Sequence, residues 1–226
     1  MTPAPTRTLE RQLFAEGHTL VAGMDEVGRG ALAGPVSVGV VVIDPTCGRM
    51  PAGLRDSKLV APEKRGRLVP PIHRWARASA VGHASPQEID RYGIIGALCL
   101  AGHRALAHVS AAGCAPDVLV LDGVHDWLST PVPFPLPCLT PQVRTQVKGD
   151  LRVAAIAAAS ILAKTERDGL MEEHHERFPE FGWESNKGYA AAVHTAAIRR
   201  LGATDLHRRS WKLPVGPEPV QPSLLE

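Results

Sequence analysis

Short apolar runs bounded by glycine and proline alternate along the chain with longer stretches of helical composition. Thr19–Met24 and Val36–Ile43 are strand-length and rich in β-branched residues, and the short link between them predicts an antiparallel pair. The second run ends in the turn "DPTCGRM". "APEKRGRLV" has helical character and is expected to stop at Pro70 and Pro71, which lack the amide hydrogen that a helix interior needs. "WARASAVGHA" then reads as a third strand. Ser85, Pro86 and Glu88 form a capping-box signature with proline at the first helical position, opening a helix that reaches about His108. "PDVLVLDG" follows as a buried strand ending on an acid.

Between His125 and Pro141 the prolines at 131, 133, 135, 137 and 141 exclude a regular helix or a central strand, so a long loop is expected. "QVRTQV" reads as a short strand before "KGD". The alanine-rich stretch from Val153 to about Arg177 is the strongest helical signal in the chain, and a further helix is expected from Gly188 to Leu201. Antiparallel strands followed by alternating helices and strands indicate an α/β fold, one mixed sheet with helices on it. Residues 1–18 read as a polar lead-in, 19–213 as one folded domain, and 214–226, "PVGPEPVQPSLLE", as a disordered tail with too little apolar surface to pack.

Composition adds less than the pattern. A chain of 226 residues with 44% hydrophobic content is long enough for one well-buried core, and an aromatic content of 4% leaves alanine, valine and leucine to fill it. The net charge of +2 says little about partners, but from Asn186 to Lys212 six basic residues face a single acid, Asp205. Cys47, Cys99, Cys114 and Cys138 show no metal-binding spacing, and the ten histidines include no H-E-x-x-H, so reduced thiols in a cytoplasmic protein are expected. The N-terminal stretch lacks the apolar core of a signal peptide, and Val153–Ala163, an apolar run, is too short to span a bilayer.

The acids carry more. Three apolar segments finish on or beside carboxylates: "VAGMDE" at Asp25 and Glu26, "LVLDG" at Asp122 and "QVKGD" at Asp150. In open α/β sheets ligand sites collect at strand ends, where these four side chains can meet although they are far apart in sequence. Four carboxylates together repel one another, and divalent cations relieve that conflict. Magnesium takes hard oxygen ligands, and a two-ion site acts on a phosphodiester with no serine or cysteine nucleophile. Adjacent residues of a regular strand point to opposite faces, so for Asp25 and Glu26 to share a site the strand must deform there.

"GRGALA", Gly28 to Ala33, also satisfies the pattern of a dinucleotide-binding turn. That fingerprint needs a helix directly after the glycines, and here Gly34 and Pro35 lead into a strand. A nucleotide-cofactor enzyme is therefore disfavoured.

The sequence resembles ribonuclease HII, the type 2 ribonuclease H of bacteria, through "AGMDEVGRGALAGPV", "LRDSK", "SPQEIDRYGI", "LVLDG", "VKGD", "AAASILAKTERD", "PEFGWESNKGY" and "HRRSW", which occur in the family's order from about Leu20 to Trp211. The resemblance implies a ribonuclease H-like mixed sheet with a helical C-terminal part that uses Mg2+ or Mn2+, and a monomer is expected. It implies cleavage of RNA within RNA/DNA hybrids and beside single ribonucleotides in duplex DNA, leaving 3'-hydroxyl and 5'-phosphate ends. Asp25, Glu26, Asp122 and Asp150 match its metal-binding tetrad. Gly28, Arg29 and Gly30 match the loop that reads the ribonucleotide 2'-hydroxyl, and Tyr189 matches the tyrosine that stacks on the sugar at the junction. Lys58, Lys164 and the group Arg208, Arg209, Ser210 are candidates for phosphate contact. Pro70, Pro71 and the length of the proline-rich loop depart from the usual pattern. "QPSLL", Gln221 to Leu225, loosely resembles the peptides with which bacterial replication proteins dock on the sliding clamp. A hybrid-binding protein without chemistry is the competing class, disfavoured because four uncompensated acids would repel a phosphate backbone.

Overall fold

The computed structural model describes residues 4–214 and Gly216, so the tail segment Gln221–Leu225 lies outside the described residues. Helix α1 (Thr8–Ala15) precedes strands β1 (Val21–Val27) and β2 (Val36–Ile43). Helix α2 (Pro62–Trp75), strand β3 (Ala78–Ala84) and helix α3 (Pro86–Ala111) follow, then strands β4 (Val118–Asp122) and β5 (Gln142–Gln146). The chain continues through helices α4 (Gly149–Arg152), α5 (Ala154–Arg177), α6 (Trp183–Asn186) and α7 (Ala192–Leu201). The five strands form one sheet in the order β3-β2-β1-β4-β5. β2 is antiparallel to both β1 and β3, while β4 runs parallel to β1 and β5. This is the mixed sheet with flanking helices that the pattern of apolar runs predicts.

Strand alternation sorts the core into two layers. Val21, Val41, Ile43, Val118 and Val120 pack with Leu13 of α1, Ile72 of α2 and Ile156 of α5. Ala22, Met24, Val38, Val40, Leu119 and Leu121 face the other way, against Leu98 and Leu106 of α3. Helix α5 lies so close to the sheet that a Cβ added at Gly23 would stand 2.4 Å from the Ala155 carbonyl carbon, and one at Gly39 only 2.3 Å from Ala159 O. Only glycine on the strands and small residues at Ala155, Ala159 and Ala163 on the i, i+4 stripe of the helix permit that approach. The consequence is positional: the start of α5, with Asp150 just before it, is held against the sheet.

Several boundaries differ from the sequence reading. Pro70 and Pro71 do not end α2, which continues to Trp75. Leu68, Ile72 and Trp75 fall on one face and are buried. That burial, about 1.5–3 kcal/mol for each side chain, offsets the roughly 3 kcal/mol penalty of each proline in the helix interior. The third strand therefore starts at Ala78 rather than at Trp75. The capping box forms, with Glu88 N–H donating to Ser85 Oγ and Ser85 N–H donating to the Glu88 carboxylate, and the helix it opens runs past His108 to Ala111 with a bend at Gly93. The final helix begins at Ala192 rather than Gly188, because Lys187 (φ 50°) and Gly188 (φ 85°) take left-handed conformations after α6.

The polar lead-in contains α1, whose Leu13 is buried in the core and whose buried Glu10 carboxylate accepts from Ala155 N–H. The proline-rich segment is a loop, as expected, but it sends Trp127 and Leu128 beneath α3. Among the described residues one helix, α3, is long and apolar enough by length and composition to cross a membrane, and it packs on β2 and β3.

Candidate active site

β1 and β4 are parallel neighbours, with Met24 opposite Leu121, so their C-terminal ends deliver Asp25 and Asp122 side by side. Both sit on the α5 face by alternation from Val21 and Gly23 and from Val118 and Val120. Asp150, in the short α4 between β5 and α5, completes the group: one carboxylate oxygen from each of Asp25, Asp122 and Asp150 lies within 4.8 Å of the others. Gly149 N–H donates to Asp122 Oδ1 at 2.6 Å and Glu26 N–H donates to Asp25 Oδ1 at 2.8 Å, which fixes two of the three carboxyls.

Burial, reinforced by Glu26 and Asp122, holds the Asp25 carboxyl well above the ordinary aspartate range. Burial and then Asp150 raise Asp122 as well, against the opposing pull of the Gly149 N–H. Crowded, partly desolvated oxygen donors with excess negative charge are the donor set that Mg2+ or Mn2+ satisfies, so these residues fit a divalent cation.

Glu26 contributes no oxygen to the three-carboxylate group. The strand does not deform at this point: pairing with β2 continues through Glu26 opposite Val38 and Val27 opposite Ser37. The Glu26 carboxylate meets Arg29 at 3.5 Å, and its charge still reaches Asp25. It remains near enough to Asp122 to feel its charge. Burial first raises its pKa, with Arg29 pulling down and Asp122 pushing up.

The glycines of the Gly28–Arg29–Gly30 loop are there for different reasons. Gly28 has φ 82°, and a Cβ on it would fall 2.1 Å from Arg167 Nε. Around Gly30 nothing lies within 4 Å of the Cβ position, and its φ is not left-handed, so packing does not demand glycine there.

Beneath the loop lie two fully buried arginines that sequence reasoning did not place in this role. Arg208 donates to Gly28 O at 2.6 Å, Arg29 O at 2.9 Å, Gly34 O at 3.1 Å and Pro35 O at 3.2 Å. Arg167 donates to Pro35 O, Ala33 O and Lys187 O, and its guanidinium lies 5.6 Å from the centre of the Tyr189 ring. Gly188 O accepts from Leu32 and Ala33 N–H, so the tyrosine is attached to the loop region by backbone bonds as well. The available signal was positional: Arg167 continues the i, i+4 stripe of Ala155, Ala159 and Ala163, where a buried residue belongs.

The lysines divide. Lys58 Nζ stands 3.4 Å from Asp150 with its side chain 75% exposed. Burial, which alone lowers its pKa, is outweighed by Asp56, Asp150 and Asp25, and the net shift is upward. Lys164 is engaged by Asp168 at 2.5 Å, an acid that also binds Arg65. Arg208 is buried under the loop rather than offered to phosphate. Arg209 and Ser210 present their N–H groups to Asp90.

The family model described as Ribonuclease HII matches residues 22–214, nearly the whole described chain. The chain belongs to the ribonuclease HII family. The ribonuclease HII of Streptomyces avermitilis is 44% identical over 208 residues, covering 92% of this chain and 83% of that one. Among solved structures, Bst-RNase HIII in complex with Mn2+ aligns with a TM-score of 0.67 at 24% identity over 87% of this chain and 68% of that one. The RNase HII of Archaeoglobus fulgidus, solved as a complex with PCNA, aligns with a TM-score of 0.64 at 24% identity over 85% and 93%. These two show the shared ribonuclease H-like fold. As a ribonuclease HII the chain is a divalent-metal-dependent endoribonuclease of the ribonuclease H type, acting on RNA/DNA hybrids.

Proposed function

We propose that this enzyme also cuts beside single ribonucleotides embedded in duplex DNA, and that each cleavage leaves 3'-hydroxyl and 5'-phosphate ends. The observation that carries the reading is the convergence of Asp25, Asp122 and Asp150 within 4.8 Å, at the end of the strand that leads into the Gly28–Arg29–Gly30 loop. The three aspartates, with Glu26 at the rim, would hold Mg2+ or Mn2+. Two such ions would supply charge stabilisation for phosphodiester hydrolysis by water.

The protein's own groups bind and orient. Gly149 N–H sets the rotation of the Asp122 carboxylate. The open space at Gly30 lets loop backbone approach a ribose 2'-hydroxyl, the group that separates RNA from DNA. Tyr189, 38% exposed, offers its ring to the sugar beside the junction, where a second 2'-hydroxyl would disturb the contact. Lys58 contacts phosphate at the carboxylate rim. Lys164, by its bond to Asp168, supports the fold around α5 instead. The reading places the enzyme in the cytoplasm as a monomer, with Gln221–Leu225 docking on a sliding clamp.

Cleavage of an end-labelled duplex carrying one ribonucleotide, with magnesium, manganese or EDTA, tests the core of this reading. Metal-dependent cutting beside the ribonucleotide is expected, and failure to cut that substrate while a continuous hybrid is cut would refute the junction role. Pull-down by a bacterial sliding clamp, lost on deleting residues 215–226, tests the tail.

A further inference from the structure

At the other end of the sheet from the carboxylates, the turn after β2 forms the common wall of two adjoining clefts. One, of about 500 Å³, is lined by residues that include Arg49, Arg74, Trp75 and Arg77. The other, of about 520 Å³, is lined by Arg7, Arg11, Arg49 and Met50 among others. Cys47, Gly48 and Arg49 belong to both, and neither lining contains an Asp or Glu. Five guanidinium groups therefore gather here on a chain whose net charge is only +2.

The floor of these clefts is built rather than merely exposed. Arg7 donates to Cys47 O at 2.5 Å, Gly48 O at 2.9 Å and Asp44 O at 3.3 Å, and Trp75 Nε1–H donates to Gly48 O at 3.2 Å. The Asp44 carboxylate binds Arg77 at 3.2 Å and the Thr46 and Cys47 N–H groups. That leaves Arg11, Arg49 and Arg74 exposed and in no salt bridge among the described residues. Like charges held around one concavity repel, and an anion bridging them relieves the repulsion. Guanidinium forks match phosphate oxygens in pairs, and Arg49, shared by the two clefts, joins two such positions.

We propose that this double cleft is an anion site, separate from the catalytic centre, for a ligand carrying two or more linked phosphate groups. Val21 opposite Ile43 and Asp25 opposite Gly39 place the turn at least about 13 Å along the strand from Asp25. The site therefore does not share groups with the carboxylates. Two sources offer this chemistry: a free polyphosphate such as pyrophosphate or a nucleotide, and the backbone of a nucleic acid lying beyond the cleavage site.

Calorimetric titration of the full-length enzyme with sodium pyrophosphate in EDTA tests the proposal, since without metal the aspartates repel the probe. Binding is expected, weakened at least about tenfold, or 1.4 kcal/mol, in the double variant R49A/R74A. The variant's cleavage of a short hybrid should be unchanged, and its thermal melting reports whether the fold is intact. No heat of binding with the wild-type enzyme, or equal affinity in an intact double variant, would overturn the proposal. A ribonucleotide-free DNA duplex serves as competitor: displacement of pyrophosphate identifies the backbone as the source, and undiminished binding identifies a free polyphosphate.

Discussion

Replacing Arg208 with methionine removes the main support of the recognition loop without emptying its volume. The side chain is fully buried, and four loop carbonyls, of Gly28, Arg29, Gly34 and Pro35, accept hydrogen bonds from it. It forms no salt bridge among the described residues, and burial followed by the nearby Arg167 lowers its pKa to about 9, still charged at neutral pH. Of the four carbonyls, that of the exposed Arg29 can turn to water, Gly28 O keeps the Ala31 N–H and Pro35 O keeps Arg167 Nε, whereas the buried Gly34 O keeps no donor among the described residues. Each buried acceptor left without a donor costs about 1–3 kcal/mol. Removing a desolvated charge beside Arg167 offsets part of that loss. A net destabilisation of about 1–2 kcal/mol follows, which should lower the urea midpoint by about 0.5–1 M. Arg208→Lys keeps the charge but not the fork and should fall between the two. Because the lost bonds hold the loop proposed to read the 2'-hydroxyl, kcat/KM on a single-ribonucleotide duplex should fall further than on a continuous hybrid. A methionine variant with the wild-type urea midpoint, and with the ratio of the two activities unchanged, would refute the reasoning.

Asp122→Asn keeps volume and removes one negative charge from the carboxylate group. It should retain the fold by circular dichroism and less than about a tenth of the wild-type cleavage rate at matched magnesium. Tyr189→Ala should reduce junction cleavage more than hybrid cleavage, since stacking is worth about 1–3 kcal/mol per contact; equal losses on the two substrates would remove the tyrosine from junction recognition. The buried pair His194 and His207, whose Nε2 atoms lie 3.1 Å apart, gives a pH prediction. Burial, then His194, lowers His207 from 6.5 to about 4, so between those values the unfolded chain binds a proton that the folded one refuses. Stability is thus complete above pH 6.5 and falls as the pH drops toward 4, by up to about 3 kcal/mol in urea titrations. His207→Gln should flatten that part of the profile, and an unaltered slope would show that another group governs it.

Much of this fold was legible because local chemistry and tertiary packing agree in it. The Ser85 cap, the β-branched runs and the alanine-rich α5 each need only their own residues to be recognised. Reading failed where packing overrides a local rule. Pro70 and Pro71 continue a helix because Leu68, Ile72 and Trp75 are buried on one face, a condition that depends on partners distant in sequence. The site shows the same division. Asp25, Asp122 and Asp150 stand at segment ends that the apolar pattern marks, and parallel pairing of β1 with β4 brings two of them together. Glu26, expected to join them through a deformed strand, stays in regular pairing with β2, meets Arg29 and still feels the Asp122 charge. Arg167 and Arg208 were harder still, because a buried arginine whose acceptors are backbone carbonyls leaves no complementary acid in the sequence to find. Its partners are defined by the path of the loop. The loop in turn takes that path only once α5 and the C-terminal segment have placed both guanidinium groups beneath it.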